Sequence, residues 1–336
     1  MTEEKRSVLF TIPDNRLKAQ LFDAKNIAEI SRLYHAEWNL HDRELTPAEL
    51  AAALRGKDAV VTAWGSPPLT REALDQADRL RFVGHTGGTI KWLVDEDFFL
   101  RGIPVVSANA ALAPAISEYC LMVSLMGAWN IMGTVDTVRR GGWLTNEDVT
   151  DGLRGKTVGI VGYGVIAREY IRLLQPFAPK VLVYSGHCGK EEAEANNFEL
   201  ASIEDALSCD IVSLHSTLNA KTEGMIDASR LALIRDGAIF INTARARLVD
   251  ETALMAELRT GRFTAVIDVF HEEPIAPNHP LRSLPNVIAT PHIAGCNRYW
   301  RRKQSDIVLE DMARCFRGER LEHQVTLEQY KRLTPV

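Results

Sequence analysis

Three short segments in the last third of the chain concentrate groups that grip anions and move protons: INTARARLVDE, AVIDVFHEEP and ATPHIAG. They carry Arg245, Asp268, the adjacent pair Glu272 and Glu273, and His292. A planar guanidinium can hold a carboxylate through two parallel hydrogen bonds, which lysine cannot do. A histidine titrates near neutrality and so can give a proton and take it back. A carboxylate beside it stabilises the protonated ring. Either glutamate could be that carboxylate. Each segment begins as an apolar, β-branched run and ends in these polar residues, as parallel strands do where their carboxyl ends line a ligand crevice.

The strands needed to position such tips are legible. Thr157–Val161, Val181–Tyr184, Ile211–Leu214, Ala238–Ile241, Ala265–Ile267 and Val287–Ala289 read as strands, with amphipathic stretches between them such as Arg168–Leu174 and Glu251–Leu258. About six strands alternating with helices make a complete dinucleotide-binding sheet. The first of them opens TVGIVGYGVIARE, Thr157 to Glu169. In this strand, glycine turn and helix start, Gly162 allows the tight turn and Gly164 lets the backbone approach a pyrophosphate. Ala167 permits close helix–strand packing, and the helix N-terminus faces the phosphates. The next strand, KVLVY, is followed not by the acidic residue that would bind a ribose 2′-hydroxyl but by Ser185, Gly186, His187 and Lys190. A hydroxyl and two potential cations there tilt the cofactor from NAD(H) towards NADP(H).

An earlier αβ series precedes this one. Val8–Ile12, Ala59–Thr62, Phe82–Gly84 and Val105–Val106 read as strands and Leu17–Tyr34 as a helix. Ile116 to Met132 is apolar on almost every side, so it must be buried in its own core or against a partner chain; a homodimer is expected. Asn297 to about Arg317 reads as one long helix arriving after the second sheet is complete. Two domains follow: a discontinuous substrate domain at 1–107 with 296–336, and a dinucleotide-binding domain at 108–295. With 336 residues, a second domain is expected on length alone. The fold class is α/β, with two Rossmann-like or flavodoxin-like domains, parallel sheets and a site in the cleft between them.

In order and spacing, the region from Gly142 to Gly295 resembles the D-isomer-specific 2-hydroxyacid dehydrogenase family. The resemblance rests on the glycine turn, SLHSTLNAKTEGMI (Ser213–Ile226), NTAR, DVFHEEP and PHIAG. It implies that Arg245 holds the substrate carboxylate, that Glu273 is the catalytic glutamate and that His292 is the acid/base. It places Asp268 near the nicotinamide amide, and Val165 and Ile166 on the pyrophosphate. Thr217, Thr222, Thr243, Ala244, Arg245 and His292 take further cofactor-contact positions, with Ser185 at the ribose. Thr217 stands where the family usually has proline. GHTGGT (Gly84–Thr89) follows a strand, and the backbone of Gly87 and Gly88 could cradle the substrate carboxylate. The family's usual G-x-G reads Gly87-Gly88-Thr89 here.

The implied activity is hydride transfer between NAD(P)H and a 2-keto acid or its D-2-hydroxy acid, in the manner of a glyoxylate or hydroxypyruvate reductase. The alternative is a dinucleotide-sensing, corepressor-like binding protein. Composition fits a globular enzyme: apolar residues are 46%, charged residues 25%, and the net charge is −5. There is no basic tract for nucleic acid. No stretch is read as approaching the ~20 apolar residues that span a bilayer. The run after the N-terminus is too short for a signal peptide. The five cysteines are odd in number, scattered and without a CxxC pair, so no metal site is expected and a reducing cytoplasm is.

Overall fold

The computed structural model describes residues 5–333; the first four and last three residues of the expected first domain lie outside the described residues. The chain divides into two units, Met1–Leu112 with Asn297–Val336, and Ala113–Cys296. The boundary falls inside the helix Asn109–Ala128, a few residues beyond the point expected from sequence.

The first unit holds a five-stranded parallel sheet of β1 (Ser7–Phe10), β2 (His35–Trp38), β3 (Ala59–Thr62), β4 (Phe82–His85) and β5 (Val105–Ser107), in the order β2-β1-β3-β4-β5. Strand alternation sorts its core onto two faces. Val8, Phe10, Val61 and Phe82 pack on one side, and Leu9, Val60 and Val83 on the other. The helix Arg298–Arg317 docks on the first of these faces through Val308 and Met312. A Cβ on Gly84 would lie 2.3 Å from a methyl of Val308, so only glycine lets this helix seat on β4.

Leu17–Tyr34 is not one helix. It breaks into Arg16–Leu21 and Ala24–Leu33, because Phe22 turns extended and drops into the core. Asp23 then starts the second helix with a reciprocal capping box to Asn26. Strand β2 is an edge strand that alternates exposed and half-buried residues, so it lacks the apolar run that marks the other strands in the sequence.

The second unit holds a seven-stranded parallel sheet. Its strands are β6 (Thr157–Val161), β7 (Lys180–Tyr184), β8 (Glu199–Leu200), β9 (Ile211–Leu214), β10 (Ile239–Asn242), β11 (Thr264–Ile267) and β12 (Val287–Ala289). Their order is β12-β11-β10-β9-β6-β7-β8, one strand more than expected, the extra one being the two exposed residues of β8. The order reverses between β6 and β9, and crevices for ligands form at such switch points.

The apolar run Ile116–Met132 proves to belong to two helices. One, Asn109–Ala128, begins seven residues before that run, and the second, Ile131–Arg139, follows Asn130 in the left-handed conformation (φ 46°). By length and composition alone the first could cross a membrane, with a mean hydropathy of 1.4 over its most apolar window, contrary to the expectation that no stretch approaches a span. Cys120 and Val123 on it pack with Val158, Tyr170 and Ile239, so it serves as a core helix of the second unit.

Burial pushes His85 down to about 3 and His215 down to about 4. Unfolding returns each to about 6.5, so the unfolded chain binds more protons than the folded one below that pH. Stability therefore falls as pH drops from 7 to 5, a window above the range where most carboxylates titrate. Thermal melts across it should show a falling midpoint, with a shallower slope for His85→Gln. A flat midpoint in the unsubstituted protein would contradict this.

Candidate active site

Strand β10 ends in Asn242, which is buried and uses both ends of its amide. Its Oδ1 accepts from the Ala244 N–H (3.1 Å), and its Nδ2 donates to the Arg245 carbonyl (3.0 Å). This staple shapes the loop that presents Arg245. The Arg245 guanidinium donates to the Ala244 carbonyl at 2.6 Å. Burial works against its charge and the neighbouring Glu273 carboxylate works for it.

Strand β11 is followed by Asp268, which has no exposed surface. One carboxylate oxygen accepts from the Thr290 hydroxyl (2.6 Å) and the Ile293 N–H (2.8 Å), and the other from the Ala294 N–H (2.9 Å). The segment after β12 is thereby lashed to the end of β11. His292 lies within it at φ 54°, a left-handed conformation that a non-glycine residue adopts only when its surroundings impose it. Tyr119 hydrogen-bonds Thr290 from the other side at 2.7 Å.

The strain aims the ring. His292 Nδ1 lies 2.7 Å from Glu273 Oε2, while Glu273 Oε1 accepts from the Phe270 N–H at 2.9 Å. A carboxylate only accepts, so this bond puts a hydrogen on Nδ1 and leaves Nε2 for exchange with a reacting group. Both side chains are partly open, at 52% and 37%. Glu273, not Glu272, is the histidine's partner; Glu272 lines a pocket with Glu251, His271 and His279. Arg245, Asp268, Glu273 and His292 thus follow the ends of three neighbouring strands.

At the tip of β6, Gly162 has φ +98°, and a Cβ there would sit 2.5 Å from the Ser216 backbone nitrogen. The turn therefore needs glycine both for its conformation and for the close approach of the β9 loop. Gly164 starts the helix Val165–Leu174 with no side-chain cap, and a Cβ there would meet nothing within 4 Å. A helix start without a side-chain cap, approached by a residue with no Cβ, fits a dinucleotide pyrophosphate held by the N–H groups of Val165 and Ile166. Ala167 is fully buried, as the third position of the motif requires. Ser185 follows β7, where its Oγ accepts from the His187 N–H at 3.2 Å.

Other sequence-named residues have internal duties. The Thr222 hydroxyl donates to the Thr217 carbonyl (2.7 Å) and accepts from the Asn219 N–H (2.9 Å), closing the loop after β9. Thr243 is buried, its hydroxyl 3.5 Å from the Cys120 sulfur. Sequence reasoning misses Asn242, Thr290 and Ser216, although an asparagine closing an otherwise apolar strand is a visible signal. Among the described residues no group of three or more His, Cys, Asp or Glu side chains could hold a metal ion.

In the first unit, Gly87 and Gly88 form a turn beyond β4. A Cβ on Gly87 would lie 2.4 Å from His85 Nε2, and one on Gly88 would lie 2.9 Å from Leu112 Cδ1. Close approach of the His85 ring, not backbone angle, demands glycine at 87, whereas the contact at Gly88 is with the end of a leucine side chain.

Residues 121–294 match the model of the family described as D-isomer specific 2-hydroxyacid dehydrogenase, NAD binding domain. The chain is 32% identical to a D-3-phosphoglycerate dehydrogenase of Methanocaldococcus jannaschii over 84% of its own length, and it spans about half (54%) of that relative. It is 31% identical to a glyoxylate reductase of Aeropyrum pernix, covering 86% of this chain and 89% of the relative. The crystal structure of a phosphoglycerate oxidoreductase from Rhizobium etli superposes with a TM-score of 0.79 at 27% identity, over 96% of this chain and 99% of the other. With its family model matched over more than half its length and its glycine turn and strand-tip residues in place, this chain belongs to the D-isomer-specific 2-hydroxyacid dehydrogenase family.

Proposed function

We propose that this protein is an NAD(P)-dependent oxidoreductase that interconverts a 2-keto acid and its D-2-hydroxy acid. The observation that carries the reading is the His292–Glu273 pair, 2.7 Å apart, beyond the two strands that follow, in sheet order, the one that presents Arg245. When bound, the nicotinamide cofactor supplies and recovers the hydride. Arg245 anchors the substrate carboxylate through its planar fork. His292 donates a proton from Nε2 to the carbonyl oxygen during reduction and removes it in the reverse direction. Glu273 holds the ring by Nδ1 and stabilises the imidazolium. Asp268 keeps the His292 segment in place. Gly87 and Gly88 are proposed, separately, as backbone donors to a substrate carboxylate.

Glyoxylate and hydroxypyruvate are the leading substrates, because the relatives include a glyoxylate reductase and a hydroxypyruvate reductase. None of the relatives described above is a dinucleotide-sensing binding protein. The cofactor reading leans to NADP(H), on Ser185, His187 and Lys190 where an acidic residue would repel a 2′-phosphate. A panel of 2-keto acids with NADH and with NADPH tests substrate and cofactor together; absence of turnover with every pair would end the proposal. Free cysteines throughout the described residues, two of them buried, support a reducing, cytoplasmic setting.

His292→Gln keeps a hydrogen-bonding side chain but loses the exchangeable proton. Turnover should fall ~10²–10⁴-fold while cofactor affinity changes little, because the pyrophosphate contacts are at Gly162–Ile166. Arg245→Lys should instead raise KM for the keto acid as well as lower kcat, because the fork is lost. Near-normal turnover by His292→Gln with chemistry rate-limiting would remove His292 as the acid.

The second unit leaves Trp129, Ile131, Met132, Val138, Trp143 and Val149 exposed, with Val138 at 54% and Trp143 at 82%. So many exposed apolar residues in one stretch of chain mark an interface, and a two-fold homodimer is the commonest way to cover one. The stretch continues beyond the apolar run Ile116–Met132. Sedimentation should give a dimer, and Val138→Glu with Ile131→Glu should shift it to monomer. A monomeric unsubstituted protein at micromolar concentration would contradict the assignment.

A further inference from the structure

The first unit contains a histidine that the mechanism above does not use. His85 closes β4 and has no exposed surface. Its Nδ1 lies 2.9 Å from the hydroxyl of Thr62, its partner in register on β3. That hydroxyl also reaches the Gly84 carbonyl at 3.2 Å. Whichever way the shared hydrogen runs, Nδ1 is taken. Nε2 is buried and meets no hydrogen-bond partner among the described residues.

What Nε2 does meet is Gly87. Only a hydrogen fits between them, since a Cβ at Gly87 would lie 2.4 Å from Nε2 and 3.1 Å from the Trp64 ring. The imidazole is gripped edge to face by two indoles, Trp64 at 6.1 Å and Trp92 at 5.3 Å. Trp64 is itself covered by the Arg301 guanidinium, 4.4 Å from its ring centroid. From the other side one N–H, that of Ala108, binds both the His85 and the Gly87 carbonyls, at 3.0 and 2.9 Å. The turn is thus clamped between a fixed ring and a fixed strand. Burial of an imidazole whose second nitrogen is unsatisfied carries a desolvation cost that a phenylalanine or leucine at this place would avoid.

We propose that His85 is a positioning residue for substrate binding, its buried ring setting the conformation in which the Gly87–Gly88 backbone receives the substrate carboxylate. This rests on the reading of that turn as a carboxylate cradle. His85 touches neither substrate nor cofactor. It acts through Gly87, and Thr62 sets the orientation of its ring. A protonated ring has no place here, because burial pushes His85 down to about 3, so the support is neutral across the working pH range.

The test compares His85→Phe and His85→Gln in the full chain. His85→Phe should raise KM for the reduced keto acid about tenfold, since small misplacements of a binding group are costly. Its kcat should stay within about threefold and its NAD(P)H dissociation constant should not change, because a merely destabilised fold would move all three. His85→Gln, with a polar nitrogen at similar reach, should recover most of the KM. A further arm does not depend on turnover. Gly87→Ala should lower the melting midpoint by several degrees in the unsubstituted protein and by much less in a His85→Ala background. An unchanged KM in folded His85→Phe overturns the proposal, as do additive midpoints. If the unsubstituted protein reduces no keto acid, the functional reading is what has failed, and additivity of the melts then decides the contact alone.

Discussion

The candidate catalytic site hangs on one buried carboxylate. Asp268 offers two oxygens to three donors, the Thr290 hydroxyl and the N–H groups of Ile293 and Ala294. A buried charge is tolerable only when it is satisfied in this way, and the donors in turn are fixed because the charge cannot release them cheaply. The residue they bracket is His292, whose backbone is left-handed. Such a conformation costs on the order of 1–3 kcal/mol in isolation. Three charge-assisted bonds across two neighbouring strands are enough to hold it. The His292 ring therefore takes its direction from a buried carboxylate that does not touch it.

The same logic of enforced proximity explains the glycines that matter. Gly162 bends back against Ser216, Gly84 lies under Val308, and Gly87 lies under His85. In each case the constraint is another group already in place, a loop, a helix or a ring. Only Gly162 also needs a positive φ. Glycine motifs in a sequence record these contacts as readily as they record turns, and which of the two applies depends on what packs there.

Much of this is legible in the sequence because the strands carrying the site read as unbroken apolar runs, β10 fully buried, β11 nearly so and β12 a short run at the sheet edge. Their polar tips then stand out, so Arg245, Glu273 and His292 can be found in order. The strands that escape such reading, β2 and β8, are short and sit at sheet edges, where half their residues or more face water. The break at Phe22–Asp23 is hidden because Phe22 satisfies a helical apolar pattern while its backbone is extended. Glu272 and Glu273 cannot be told apart by spacing. The choice depends on how the loop after β11 turns, and only the Phe270 N–H binding Glu273 fixes that turn. Asn242 and Thr290 escape for a related reason. They act on backbone groups and on another carboxylate, and so leave no recognisable chemistry of their own in the sequence.

Two histidines show how far environment outweighs residue type. His292 is half-open and its Nδ1 is bonded to a carboxylate. His85 is closed off, bonded to a hydroxyl and flanked by indoles, with no carboxylate hydrogen-bonded to it among the described residues. Its charged form has nothing to offset desolvation, and the ring is confined to the neutral state. The two rings differ in access and in partners, one open beside a carboxylate and the other closed among indoles. Sequence spacing identifies His292 because a proline, a strand and an ordered set of partners surround it. His85, by contrast, has the sequence signature of any polar residue at a strand end. Its character comes from Thr62, Trp64 and Trp92, which reach it only through the pairing of β3 with β4 and the loops that follow them.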